Sequence, residues 1–245
     1  MVKLSVNLNK IATLRNSRGG DRPNVVQAAR TCIAAGCHGI TVHPRPDGRH
    51  IRRHDVFDLA EMLTVEFNIE GYPSSEFLDL VCQVRPAQCT LVPDPPDVLT
   101  SNAGWNLHGD VAWLGDVRKR LHDHGIRVSL FLEPVTDQVR RARDLGVDRI
   151  ELYTERYAKL FHTPERDKVF DNYYQAAVVA QEVGLGLNAG HDLDLDNLPF
   201  FAQRIPGLLE VSIGHALISD ALEMGLRQSV KAYLRALGYH TMRDV

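Results

Sequence analysis

Residues 43–50 carry two histidines and two arginines, His43, Arg45, Arg49 and His50, in a stretch broken by Pro44, Pro46 and Gly48. Just before it stands Ile40-Thr41-Val42, a short β-branched run that reads as a buried strand. The two prolines and the Asp47-Gly48 turn signal exclude helix or strand beyond His43. A strand delivering a histidine into a cationic loop suits a phosphate-bearing substrate and proton-transfer chemistry. A solvated basic loop would look the same in isolation, so the other candidate residues must decide.

Those candidates recur in one kind of place. Asn7 and Asn9, His43, Glu70, Pro93, Glu133, Glu151 with Tyr153, Asn188 with His191, and Gly214-His215 each fall at the end of a strand-like run, and the runs themselves read as mostly apolar. Histidine and buried glutamate are the natural proton carriers near neutral pH. Glu151, inside Ile150-Glu151-Leu152, must face an interior or pair with an arginine, because an isolated buried carboxylate is costly. Arg45, Arg49 and His50 form one cationic group. Ser212 with Gly214-His215, before the last helix, forms a second anion site, since a helix N-terminus offers free N–H groups. Arg15 and Arg18, in an expected loop after the first strand, could close over either. A divalent metal on His43, His191, His215, Glu70 and Glu151 is the competing reading. No two of these histidines share a strand end at ligand spacing, so metal-free acid/base chemistry is preferred, with no metal site assigned. Lys10 is the nearest lysine for a Schiff base.

Eight strand-helix alternations are needed to position these groups. Strands are expected at Lys3–Leu8, 38–43, Glu66–Ile69, Cys89–Val92, Ile126–Leu132, Asp148–Tyr153, Leu185–Asn188 and Leu208–Ile213. Helices are expected at 23–35, Asp55–Leu63 with Asp55 as cap, Ser74 or Ser75 to Val84, 110–124, Thr136–Leu145, 164–183, 196–204 and, unbroken, 216–237. Residues 93–107 form the longest irregular stretch and include Thr100. Alternation implies a parallel sheet, and eight units in 245 residues imply a closed (β/α)8 barrel forming one domain over 1–245. A doubly wound open sheet is the weaker alternative, for no G-x-G-x-x-G follows the first strand.

Composition narrows the partners. A net charge of −3 with 24% charged residues argues against nucleic acid as the main partner. No apolar run approaches the roughly 18 residues of a membrane span, and the N-terminus has no signal-peptide pattern, so a cytoplasmic location is expected. The four cysteines, Cys32, Cys37, Cys82 and Cys89, read as reduced core thiols.

Several longer motifs carry a resemblance. Asn7-Leu8-Asn9-Lys10-Ile11-Ala12-Thr13-Leu14-Arg15-Asn16-Ser17-Arg18-Gly19, Gly39–His43 with Arg45 and Arg49-His50-Ile51, Phe67–Glu70, Val128–Phe131, Leu187–His191 and Ile213–Ala216 together resemble the pyridoxine 5′-phosphate synthase family. The resemblance implies a TIM barrel with extra helices, assembled as an octamer of dimers. It implies condensation of 1-deoxy-D-xylulose 5-phosphate with 3-amino-2-oxopropyl phosphate into pyridoxine 5′-phosphate, phosphate and water, without organic cofactor. By position, His43 and Glu70 match proton acceptors, His191 the proton donor and Glu151 the transition-state stabiliser. Asn7, Arg18, Arg45, His50, Thr100, Gly214 and His215 match substrate- and phosphate-binding residues.

The chain also departs from that pattern. Asn9-Lys10 stand where Asp-His is usual, and Asp192 stands where glycine is usual. These three are expected at the substrate site and could shift its preference. A divergent paralogue acting on another phosphosugar, as a lyase or isomerase, and a non-catalytic phosphometabolite-binding barrel are the alternatives.

Overall fold

The computed structural model describes residues 1–93, 103–109 and 111–240. Its strands are β1 (Lys3–Asn7), β2 (Gly39–Val42), β3 (Glu66–Gly71), β4 (Gln88–Leu91), β5 (Arg127–Leu132), β6 (Arg149–Tyr153), β7 (Gly186–Gly190) and β8 (Leu208–Ile213). All pair in parallel and in sequence order, with β8 returning to β1, so the barrel is closed. The helices are α1 (Asn9–Asn16), α2 (Val25–Ala34), α3 (Arg53–Met62), α4 (Ser75–Val84), α5 (Ala112–Asp123), α6 (Thr136–Asp144), α7 (Glu155–Leu160), α8 (Arg166–Glu182), α9 (Leu198–Arg204), α10 (His215–Met224) and α11 (Leu226–Ala236).

Alternation along each strand sorts two environments. Leu4 and Val6, Ile40 and Val42, Phe67 and Ile69, and Ile150 and Leu152 face outward and pack in the core beneath the helices. The strand positions between them carry polar side chains, contrary to the mostly apolar interiors expected from the sequence. Ser5 and Thr41 share a hydrogen bond of 2.7 Å, and the Thr90 hydroxyl donates to Asn68 Oδ1 at 3.1 Å. Nearer the strand starts, Glu66 pairs with Lys3 and accepts from Arg127 Nη2 at 2.6 Å. These groups partner one another across neighbouring strands, while Ser129 Oγ, Glu151 Oε2 and Asn188 Nδ2 have no partner among the described residues.

Three expectations about helices need correction. The segment after β1 is not a loop but α1, which buries Ile11, Ala12 and Arg15. Asp55 is not the cap of α3. It sits one turn inside, where Oδ2 accepts from the Arg52 N–H at 2.7 Å. The last expected helix is two, because Gly225 adopts φ 83° between α10 and α11.

Gly104 follows β4 and lies against β5. A Cβ there would lie 2.3 Å from the Glu133 nitrogen and 2.5 Å from the Leu132 carbonyl carbon. Those are backbone atoms that cannot rotate away. Gly104→Ala is expected to destabilise the fold by about 1–3 kcal/mol, read as a fall in urea midpoint.

Candidate active site

A cavity of about 400 Å³ opens where the strands end. Of the residues that the resemblance and its departures place at the site, all but Arg18 and Thr100 line it, and Arg49 of the cationic loop is not on its wall. Arg18 is exposed on the turn after α1, away from the cavity wall. Thr100 lies outside the described residues. Three other expectations fail on geometry. Arg15 is buried and paired with Asp55, Nη1–Oδ1 2.5 Å, so it cannot close over an anion. Asn188 points into the barrel, its Oδ1 accepting from Arg149 at 3.2 Å. Glu133 is not part of the cavity wall.

The near wall is built by an asparagine relay. Asn7 Oδ1 accepts from the Asn9 N–H at 2.9 Å, which starts α1. Asn9 Oδ1 accepts from the His43 N–H at 2.9 Å. An asparagine here keeps the oxygen acceptor a carboxylate would supply and drops its charge. Lys10 then stands on the cavity wall beside this relay.

His43 and His50 are held neutral. Burial drives His43 well below the ordinary histidine value, and Arg45, His50, Arg49 and His191 push the same way. Burial, then Arg45 and Arg49, bring His50 down to about 4. The Ile51 N–H donates to His50 Nδ1 at 2.9 Å, so the neutral ring carries its proton on Nε2. Neutral His43 keeps one ring nitrogen unprotonated, the lone pair a base needs, whereas His50, with Nδ1 taken by Ile51, presents its Nε2–H as a donor.

The two glutamates behave oppositely to surface carboxyls. Glu70 touches the cavity, but protein encloses it elsewhere. That enclosure, with Glu210 adding repulsion, pushes it up to about 8. Glu151 is 4% exposed, and its Oε2 has no hydrogen-bond partner among the described residues. Burial raises it well above the ordinary value, and Glu70 and Glu210 add to this. The arginine pairing open to it from the sequence is not made. Arg149 lies instead 3.9 Å from Glu210. Room for Glu151 depends on Gly190, whose Cβ would lie 2.6 Å from Glu151 Oε1. Both carboxyls therefore favour the protonated form, and Glu70, at about 8, ionises just above neutral pH.

The far wall is aromatic. The His191 ring meets Phe131 at 5.1 Å and Tyr153 at 5.0 Å, both edge to face. Gly214 opens α10, and His215 is its first residue, so free N–H groups face the cavity. Sequence reasoning missed Thr13, Val92, Phe131 and Glu155 on this wall. Phe131 was accessible from period-two alternation with Arg127 and Ser129. Glu155 had no such signal, since α7 was not anticipated. Among the described residues, no three His, Cys, Asp or Glu side chains converge as a metal site.

Comparison with known proteins agrees with this geometry. The family model described as "Pyridoxal phosphate biosynthesis protein PdxJ" matches residues 4–239. A pyridoxine 5′-phosphate synthase of Phocaeicola vulgatus is 54% identical over 97% of this chain and 99% of its own length. One from Bacteroides thetaiotaomicron is 54% identical over 97% of this chain and all of its own. Among solved structures, phosphoribosyl anthranilate isomerase of Thermotoga maritima superposes with a TM-score of 0.62 at 15% identity, covering 97% of this chain and 99% of that one. Tryptophan synthase of M. tuberculosis gives 0.64 at 13%, covering 97% and 93%. These two share the barrel fold alone. The matches over nearly the full length, on a barrel whose mouth carries the expected residues, establish that the chain belongs to the PdxJ family.

Proposed function

We propose that this chain is a pyridoxine 5′-phosphate synthase acting through the cavity at the strand ends. It joins 1-deoxy-D-xylulose 5-phosphate and 3-amino-2-oxopropyl phosphate and releases pyridoxine 5′-phosphate, phosphate and water. The observation that carries this reading is one cavity that brings together neutral His43 and His50, two carboxyls with raised values and cationic groups on separate elements. Two phosphorylated substrates call for two anion cradles. Lys10, Arg45 and His50 supply one, and the Gly214-His215 turn supplies the other.

Joining an amine to a ketone, losing phosphate and closing a ring all require protons to be taken and returned. Neutral His43 and the ionised form of Glu70 take protons from carbon and nitrogen. His191 returns them to leaving oxygens. Glu151, uncharged and close to Glu70, donates a hydrogen bond to oxygen that gains charge. Asn7 holds Glu70 within 3.5 Å, Nδ2 to Oε2. Asn9, Lys10 and Asp192 tune which amino-ketone fits. No organic cofactor and no metal takes part.

We further propose an octamer of dimers in the cytoplasm. Leu14, Leu222 and Met224 expose apolar surface on α1 and α10, which suits burial against another copy. The four cysteines are free and buried, as a reducing compartment allows. No helix among the described residues is long and apolar enough to cross a membrane.

Purified protein given both substrates should form a product with pyridoxine absorbance, and neither substrate alone should do so. Folded protein that gives no product would sink the reading. Arg45→Ala, which empties one cradle, should raise the KM of one substrate about 10–100-fold, measured by varying each substrate in turn.

A further inference from the structure

Two adjacent residues after β7 adopt left-handed backbone: His191 at φ 78° and Asp192 at φ 55°. Neither is glycine, and a side chain with a Cβ disfavours that region. Such backbone persists where the surroundings over-determine it, and it clusters at functional sites. The surroundings here are specific. Thr154, fully buried at the head of α7, donates its N–H to the Gly190 carbonyl at 3.0 Å. Its hydroxyl lies 2.5 Å from that same carbonyl and also contacts the His191 carbonyl. The hydroxyl thus stands within donating reach of two converging carbonyls. Asn197, also buried, donates its amide to the Asp192 carbonyl at 3.1 Å. Asn197 is fixed in turn. Its N–H donates to Asp194 Oδ1 at 2.9 Å, and its carbonyl accepts from Tyr157 at 2.8 Å.

The three carbonyls of Gly190, His191 and Asp192 are therefore gripped from α7 and from the start of α9. We infer that Thr154 and Asn197 are positioning residues, which set the His191 ring between Phe131 and Tyr153 by holding its backbone left-handed. This rests on the reading of His191 as the proton donor. The clamp contacts no substrate. It acts by fixing where the imidazole stands, and a shift of about 1 Å at such a group can slow turnover by about a hundredfold.

The test compares Thr154→Val, Thr154→Ser, Asn197→Asp and Thr154→Val/Asp192→Gly with the parent and with His191→Ala. Thr154→Val keeps the shape and removes the donor. It should lower kcat about 10–100-fold, with both KM values within about twofold. Thr154→Ser should restore most of kcat. Asp192→Gly should recover part of the loss, because glycine takes left-handed backbone freely. Asn197→Asp keeps the Oδ1 acceptor, replaces the amide donor by an oxygen and should lower kcat in the same way, which serves if Thr154→Val fails to fold. Parent-like kcat in Thr154→Val or Asn197→Asp, alongside an inactive His191→Ala, overturns the clamp. Loss in Thr154→Val that serine does not rescue also overturns it. Parent-like turnover in His191→Ala overturns instead the assignment of His191.

Discussion

Glu70→Gln is expected to lower kcat about 10²–10⁴-fold while the protein still binds phosphate ligands, measured by steady-state turnover and by calorimetric titration. The amide keeps the volume and the contact to Asn7 but cannot exchange a proton. A second result is expected from the same variant. Enclosure raises the Glu70 carboxyl from 4.5 to about 8. A raised acid group stabilises the fold below its unfolded value and loses that contribution as pH climbs through the folded one. At pH 8 the unfolded carboxyl ionises freely while burial resists ionisation of the native one, a cost to the fold that is nearly absent at pH 4.5. Glu70→Gln should raise the melting temperature at pH 8 and leave it nearly unchanged near pH 4.5. Loss of activity with a gain in stability is the signature of a group kept for chemistry.

The second large effect lies outside the cavity. Arg15 and Asp55, both almost fully buried, pair through Nη1–Oδ1 at 2.5 Å and Nη2–Oδ2 at 2.9 Å. Arg15 Nη2 also donates to the His50 carbonyl at 3.1 Å. Its neighbour Asn16 donates to the same carbonyl at 2.8 Å and reaches those of Gly48 and Arg49. Helix α1 thus ties down the cationic loop through its polar side. Asp55→Ala strands a buried guanidinium and removes the acceptor for the Arg52 N–H. A loss of about 3–5 kcal/mol in unfolding free energy is expected by urea titration. Arg15→Met/Asp55→Leu, which replaces both charges by apolar bulk, should recover much of it.

The same pair explains where the sequence was hard to read. The ring of strand-end groups was legible because each follows a short β-branched or apolar run and a turn signal. His43, Glu70, Glu151 and His191 are placed that way by the sequence alone. Helix α1 was not legible because its buried face contains Arg15, which breaks the apolar stripe that marks a helix. Arg15 then looked like a spare cation for substrate, when its charge is spent on Asp55. The polar barrel interior was obscured in a similar way. Runs such as Phe67-Asn68-Ile69 look apolar when the outward-facing residues dominate, though every second side chain points inward. Asn188 was misjudged for that reason. The bend at His191-Asp192 had no local signal, because histidine and aspartate do not announce left-handed backbone as glycine would. It is set by Thr154 and Asn197, which lie far away in sequence and close in space.

The departures Asn9, Lys10 and Asp192 acquire a physical meaning from these contacts. Asn9 preserves the acceptor that holds the His43 N–H. Lys10 adds a fixed positive charge to the side of the cavity that already carries Arg45 and His50. Asp192 keeps a side chain where the backbone is left-handed, and so relies on its carbonyl being held by Asn197.

The pH dependence of kcat/KM with both substrates tests the acid/base account most directly, because that ratio reports groups of the free enzyme. If Glu70 accepts a proton, it must first be ionised. The ratio should rise with pH to a plateau, along a limb centred at about 8, and Glu70→Gln should lack that limb at a rate far below the parent. A parent profile flat through that range, or a Glu70→Gln variant turning over at the parent rate, would contradict it.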